Sequence, residues 1–291
     1  MVLIKDADCR LQIGDVCCSL RFDDPAYGVY SRKYFNEFIS DDEPELILDI
    51  SINLTENDLE ETDIPDSVLL SKTVNGNSFD FHSGLIKGIL DMEERRCTVT
   101  FSGKGIHSFK QFLFSVYYTL VRHNHPGESN FLIHACAVSR DGCGYVFSGP
   151  SESGKSTIAR FSSDHTILND ETVIIRKENG SYMVSSTPFR GDYMDNENVS
   201  TALNAIFLIR HGEKNIIKEI SKKEFVIRFI KEVIYSDSLL STKRADTFSE
   251  MVNFCSMVAD EVPFYELQFL PDSSFWNVID DFNGLKTEKE V

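Results

Sequence analysis

The sequence predicts an α/β protein in two parts, a smaller β-rich N-terminal region followed by a region in which short buried strands alternate with helices. Three observations carry this. The first hundred residues hold short apolar or alternating runs between acidic and turn-forming segments. Residues 106–122 switch to a helical period. "GYVFSGPSESGKSTIARF", residues 144–161, then passes from an apolar run through a glycine-serine turn into a helix-like stretch.

In chain order, "VCCSLRF", "ELILDISINL", "SVLLSKTV" and "ERRCTVTF" read as strands. "DDEPE" at 41–45 and "TENDLEETDIPD" at 55–66 read as water-facing loops rather than metal sites, since charge runs are solvated. In "IHSFKQFLFSVYYTLVR", Phe109, Phe112, Leu113, Val116, Tyr117 and Leu120 recur at three- and four-residue steps, one face of a helix. "HNHPGESN" ends it with Pro and Gly; His123 and His125 there have no acidic or Cys partners and are read as incidental. "FLIHACAV" and "GYVFSG" read as strands joined by a tight "SRDGCG" connection, and a helix starts near Lys155. "HTILND", "TVIIRKE" and "YMVSS" follow as strands, and "LNAIFLIR" with "NIIKEI" as a strand pair. "KKEFVIRFIKEVIY" and "TFSEMVNFCSMVAD" have helical spacing, "PFYELQFL" is a strand and "SFWNVIDDF" a short final helix. The change of pattern across 105–130 divides the chain into 1–125, ending in the amphipathic helix, and 126–291.

Composition narrows the function. At 291 residues with 42% hydrophobic and 26% charged side chains, the chain is a globular protein with room for more than one core. A net charge of -17 argues against a nucleic-acid surface, which needs clustered Lys and Arg. No run of 18 apolar residues predicts a membrane span, and "MVLIKDADCRLQIGD" lacks a secretory pattern, so a cytoplasmic location is expected. The seven cysteines form no CxxC pair, which reads as reduced thiols.

Gly149 to Ser156, with Thr157 following, matches G-x-x-x-x-G-K-[ST], a phosphate-binding loop. Glycines let the backbone turn with its N–H groups inward, and the following helix presents its positive dipole end. Gly149, Ser151, Ser153, Gly154, Lys155, Ser156 and Thr157 are the expected nucleotide contacts, with Lys155 on the β- and γ-phosphates and Ser156 on a divalent metal. Strand, loop and helix follow in the order the motif requires, so a nucleoside triphosphate is the expected ligand. Glu152 is a negative charge inside this loop and must point outward.

Asp170 and Glu171 end a short apolar run 15 residues beyond Lys155, room for one helix and one strand. Two adjacent acids at a strand end can divide labour, one on the metal and one accepting a proton from an attacking hydroxyl. His134 lies on the strand before the loop strand and could face the γ-phosphate site if the two are neighbours; by spacing alone the reading as a core histidine is favoured.

A His on a strand, a loop strand, this glycine-serine motif, a helix and an acid pair, in this order, resemble the C-terminal domain of HPr kinase/phosphorylase and its wider group. "PFRG" at 188–191 and "LNAIFLIRHG" at 203–212 add to the likeness, which spans about 130–285. The resemblance implies a phosphoenolpyruvate-carboxykinase-like P-loop fold, ATP and Mg2+ as cofactors, Asp170 as catalytic acid/base and Glu171 near the metal. It also implies His134 at the phosphate site and Arg190 toward the transferred phosphoryl group. The acid pair is Asp-Glu where the family has Asp-Asp, and the N-terminal region does not match the regulatory domain of those enzymes. The longer signature segment by which those kinases engage their protein substrate has no match either, so HPr is not claimed as the substrate.

The function expected is an ATP-dependent kinase acting on a hydroxyl of a protein, a peptide or a small molecule, with a homo-oligomer possible. The alternative is a nucleotide-binding regulatory module without turnover.

Overall fold

The computed structural model describes residues 8–52, 70–73, 77–82, 86–102, 106–124, 130–193, 195–234 and 244–287. The expected acidic loop at 55–66 and His125 lie outside them, as does the side chain of His123. The protein is mixed α/β with two sheets, mostly strands, and divides into two compact units: Met1–Pro126 with Tyr235–Arg244, and Gly127–Ile234 with Ala245–Val291.

The first unit contains β1 (Asp8–Ile13), β2 (Val16–Phe22), α1 (Pro25–Tyr34), β3 (Leu46–Ile52), β4 (Leu70–Thr73), β5 (Ser78–His82), β6 (Ile86–Asp91), β7 (Arg96–Phe101) and α2 (Ile106–Asn124). Its strands form one sheet in the order β1-β2-β3-β7-β6-β5-β4, parallel only where β3 meets β2 and β7. Buried residues alternate with half-buried ones along β1 and with exposed ones along β7, which produces one apolar face. Against it lies α2, with Phe109 beside Phe22 and Phe101, and Phe112 edge-on to Phe81. All six apolar positions picked out by helical spacing in α2 are buried. Helix α1 went unread, although Asp24 caps it by accepting from the Ala26 amide and Pro25 opens it.

The second unit contains β8 (Asn130–Arg140), β9 (Cys143–Ser148), α3 (Lys155–Arg160), β10 (Thr166–Asn169), β11 (Thr172–Glu178), β12 (Ser181–Ser185), β13 (Ser200–His211), β14 (Ile216–Lys218), α4 (Lys222–Phe229), α5 (Arg244–Glu261), β15 (Phe264–Phe269) and α6 (Phe275–Thr287). β8 and β9 form the expected hairpin, with Asp141 and Gly142 both at positive φ in its turn. Pairings run β8 to β9, β9 to β13, β13 to β12, β12 to β11 and β11 back to β8, a closed ring. Phe147 anchors the core, stacked on Phe207 and edge-on to Phe275 and Trp276.

Two expectations need correction. β13 and β14 are not partners: β15 lies between them, parallel to β13 and antiparallel to β14. Tyr265, Leu267 and Phe269 of β15 bury one face there, whereas half-buried β14 suits the sheet edge. The helix expected over 222–235 stops at Phe229 and tightens into a 3-10 turn, Ile230–Glu232, because Val233 leaves to bridge Ile133 of β8. All seven cysteines are free. Among the described residues no helix is long and apolar enough to cross a membrane.

Candidate functional site

The register of β8 decides where the site residues meet. Ser148 ends β9 opposite Ala135, so the glycine-serine turn departs level with His134. On β8, β10 pairs antiparallel up to Asn169 opposite Ala137, and β11 resumes with Thr172 opposite His134. Asp170 and Glu171 fall between these two strands. The carboxyl ends of β9 and β10 thus reach one level of the sheet, where α/β proteins place their ligand crevices.

The turn is built tightly. A Cβ on Gly149 would lie 2.8 Å from Ser153 Oγ and 3.1 Å from the Ile209 carbonyl. Gly154 has φ +105°, and a Cβ there would lie 2.5 Å from the Phe269 ring. Glu152 takes φ 65°, unusual outside glycine, and it is exposed, as a carboxylate in this loop has to be. Ser151 is exposed as well, and Thr157 is half-buried in the first turn of α3. The Ser153 hydroxyl is buried and, among the described residues, has no hydrogen-bond partner. An orphaned buried hydroxyl facing a turn too tight for a side chain is what a loop shaped for an anion presents.

Lys155 is only 6% exposed, and its Nζ donates to the Gly149 carbonyl at 2.9 Å and the Pro150 carbonyl at 3.2 Å. Burial pulls its pKa below the ordinary lysine value, opposed by the charges of Glu171, Glu232 and Asp170. The Ser156 hydroxyl donates to Asp170 Oδ2 at 3.0 Å. Asp170, 1% exposed, also accepts from the amides of Gly191 at 3.0 Å and Tyr193 at 3.2 Å. The segment after "PF" therefore straps the carboxylate in place.

Asn169 sets the acid pair. Its Oδ1 accepts from the amides of Glu171 and Thr172, and its Nδ2 donates to the Thr187 carbonyl. Beyond it, His134 stands between two carboxylates, with Nε2 at 3.3 Å from Glu171 Oε1 and Nδ1 at 3.1 Å from Glu232 Oε2. The Glu171 contact first, then the Glu232 contact, raise the His134 pKa to about 9 against the opposing effect of burial. The imidazole is thereby held as a cation at neutral pH.

Lys155, Ser156, Asp170, Glu171 and His134 lie near one another at this level of the sheet. Ser156 meets Asp170, while the Glu171 carboxylate turns to His134. Arg190 is buried with Nη1 3.3 Å from Asn196 Oδ1, and Asn196 bonds the Leu168 and Thr187 carbonyls, so this arginine helps hold the strap. Asn169, Glu232 and the amides of Gly191 and Tyr193 were not foreseen. For Asn169 a signal existed, an Asx-type side chain just before the acid pair; for Glu232, 98 residues from His134, none did.

Do these residues suit a magnesium–nucleotide? Among the described residues no group of three or more His, Cys, Asp or Glu could hold a metal unaided. Ser156 and Asp170 supply two oxygens at the turn, and magnesium ordinarily combines one or two protein oxygens with phosphate oxygens and waters. The set fits a metal that arrives with phosphates. A separate polar cleft of about 430 Å³, lined by Arg140, Asp141, Asp164, His165 and Glu197 among others, opens at the Thr166 end of β10 and takes no part.

A family model described as SynChlorMet cassette protein ScmC matches residues 104–283. No curated protein matches the chain. Among solved structures, the Hpr(Ser) kinase/phosphatase from Coxiella burnetii matches at 14% identity, covering 31% of this chain and 72% of that one, with a TM-score of 0.23. A likeness that low carries no argument about function.

Proposed function

The chain belongs to the SynChlorMet cassette protein ScmC family, and we propose that it is an ATP-dependent kinase whose acceptor is a hydroxyl of a protein, a peptide or a small molecule. One observation carries the proposal: the Ser156 hydroxyl and the Asp170 carboxylate meet at 3.0 Å where the turn enters α3. A helix-start hydroxyl paired with a strand-end acid is an arrangement suited to a metal on phosphates.

Bound magnesium–ATP would supply the phosphoryl group and the divalent charge that draws electron density from it. The chain's own residues do the rest. The Ser153 hydroxyl and turn amides other than that of Ser153, which donates to the Pro150 carbonyl, would hold phosphate oxygens. Lys155 exchanges its two carbonyl partners for anionic ones, a favourable change for a buried ammonium. His134 adds a second fixed positive charge on the same level.

The geometry favours exchanging the two roles expected for the acids. Asp170, buried and strapped by three donors, suits the metal side with Ser156. Glu171, with 47% of its side chain exposed, is the acid open to an incoming hydroxyl. Glu171→Gln is then expected to keep magnesium–ATP affinity and lose transfer of a radiolabelled γ-phosphate to extract protein. Lys155→Ala should lose ATP binding by about 100-fold or more, read by calorimetry; unchanged affinity would remove the loop from consideration.

The second reading, a nucleotide-binding regulatory module, also has an observation in its favour: every Asp170 bond already satisfies a protein donor. ATP binding without transfer or hydrolysis by the wild-type chain selects it.

A further inference from the structure

We infer that Glu232 is a positioning residue that fixes the His134 imidazole at the mouth of the phosphate-binding turn. The inference deepens the kinase reading and rests on it for its reaction, but its geometry stands on separate contacts.

Glu232 closes the 3-10 turn Ile230–Glu232, which α4 delivers to the side of β8. There the chain is pinned twice. Val233 makes an isolated antiparallel bridge with Ile133, and the Ile234 amide donates to the Leu132 carbonyl at 2.8 Å. The pins lie one and two residues before His134, so they set the Glu232 side chain beside the imidazole. Its Oε2 lies 3.1 Å from Nδ1, and Glu171 Oε1 holds the opposite ring nitrogen at 3.3 Å. With a carboxylate on each nitrogen, the ring cannot turn about its Cβ–Cγ bond without giving up both bonds. Glu232 itself is 8% exposed. A carboxylate that deep is costly unless paired, and an apolar residue would close the turn at less cost. A helical continuation from Phe229 would also have satisfied the backbone. The chain instead breaks α4 and brings an acid to one ring nitrogen.

This division gives the two glutamates different duties. Glu171 is half exposed and belongs to the acid pair. Glu232 is enclosed and touches the site through His134, whose direction it sets, while its charge is also felt at Lys155. Losing it leaves the turn, Lys155 and Ser156 in place and frees the ring to swing.

The test uses the full chain, with Glu232→Leu as the loss of the acceptor and Glu232→Gln, which keeps an acceptor oxygen at the same reach, as the conservative rescue. In the wild type, proton NMR on nitrogen-labelled histidine should show an exchange-protected Nδ1–H from His134, assigned by its absence in His134→Gln. The signal should vanish in Glu232→Leu and persist in Glu232→Gln. Magnesium–ATP affinity should stay within about twofold in both variants, while turnover of labelled γ-phosphate falls roughly 10–100-fold in Glu232→Leu with an unchanged KM for ATP. Glu232→Gln should recover part of it. A retained Nδ1–H signal in Glu232→Leu overturns the inference, as does a parallel loss of affinity, turnover and thermal stability, which would make Glu232 merely structural. A wild type that binds ATP and transfers nothing sinks the kinase reading alone; the protected proton still decides whether Glu232 holds the ring.

Discussion

The two units bury different kinds of residue. In the first, the buried polar side chains among the described residues are Ser19, Ser31, Ser115 and Thr119, all neutral hydroxyls. Thr119 illustrates how such groups are satisfied, donating to the carbonyl one helical turn back. The second unit buries Lys155, Asp170, Arg190 and Glu232, with Asn169, Asn196 and Thr187 bonded around them. An unpaired buried charge costs several kcal/mol, so a chain keeps four only where their bonds are made and their positions are needed. The first unit can be understood as a sheet with a greasy side. The second has to be understood as a polar network suspended in a core.

The comparison breaks most visibly at Asp170. In Asp170→Asn one amide N–H would be forced to face the Ser156 hydroxyl, the Gly191 amide or the Tyr193 amide, all donors to the native carboxylate. The expected loss is about 2–4 kcal/mol, because a buried donor is left facing a donor and a buried charge is removed from its partners. Thr119→Val in the first unit removes one neutral bond and should cost about 1 kcal/mol. Urea melts of both variants test the contrast; equal losses would mean that the network is not more demanding than the apolar packing.

Next in size is a pH effect. His134 has its pKa raised from 6.5 to about 9 by Glu171 and Glu232. Its folded-state value exceeds the unfolded one, so its contribution is fully present below pH 6.5 and lost as pH rises through about 9. At most it amounts to about 3 kcal/mol. The stability gap between wild type and His134→Gln should therefore shrink steadily across that window in nucleotide-free protein. A gap that stays constant with pH would remove the charged-imidazole assignment.

How much of this could be read in the sequence follows the same division. β7 and α2 were legible because each carries its own period, β2 because it is a short, nearly continuous buried run, and the turn at Gly149–Ser156 because its residues are contiguous. Asp170 and Glu171 were legible as a pair, but their separate partners were not, since these depend on the direction in which Asn169 bends the chain after β10. The β13–β14 pairing was misread because apolar runs state that a strand is buried, never beside which neighbour. Glu232 was invisible for the same reason: its meaning comes from a bridge between Val233 and Ile133, a hundred residues apart. Helix α1 is the opposite case, since its cap and proline were in plain view at Asp24 and Pro25.

The smallest effect sharpens the comparison from the other side. Ile89 lies on β6, opposite Asp80 of β5 and Thr98 of β7, on the face of the first sheet turned away from the apolar side, and it is 54% exposed. Its neighbours along that row, Asp49 and Thr98, are polar. Ile89→Thr keeps a β-branched side chain suited to a strand while removing exposed apolar surface. Nothing in the core moves, and no buried charge is involved, so stability should change by no more than about 0.5 kcal/mol, with ATP affinity unaltered. A loss well above that would require an apolar cover over this face. The first unit would then owe its fold to more than one greasy side, and the contrast with the second would narrow.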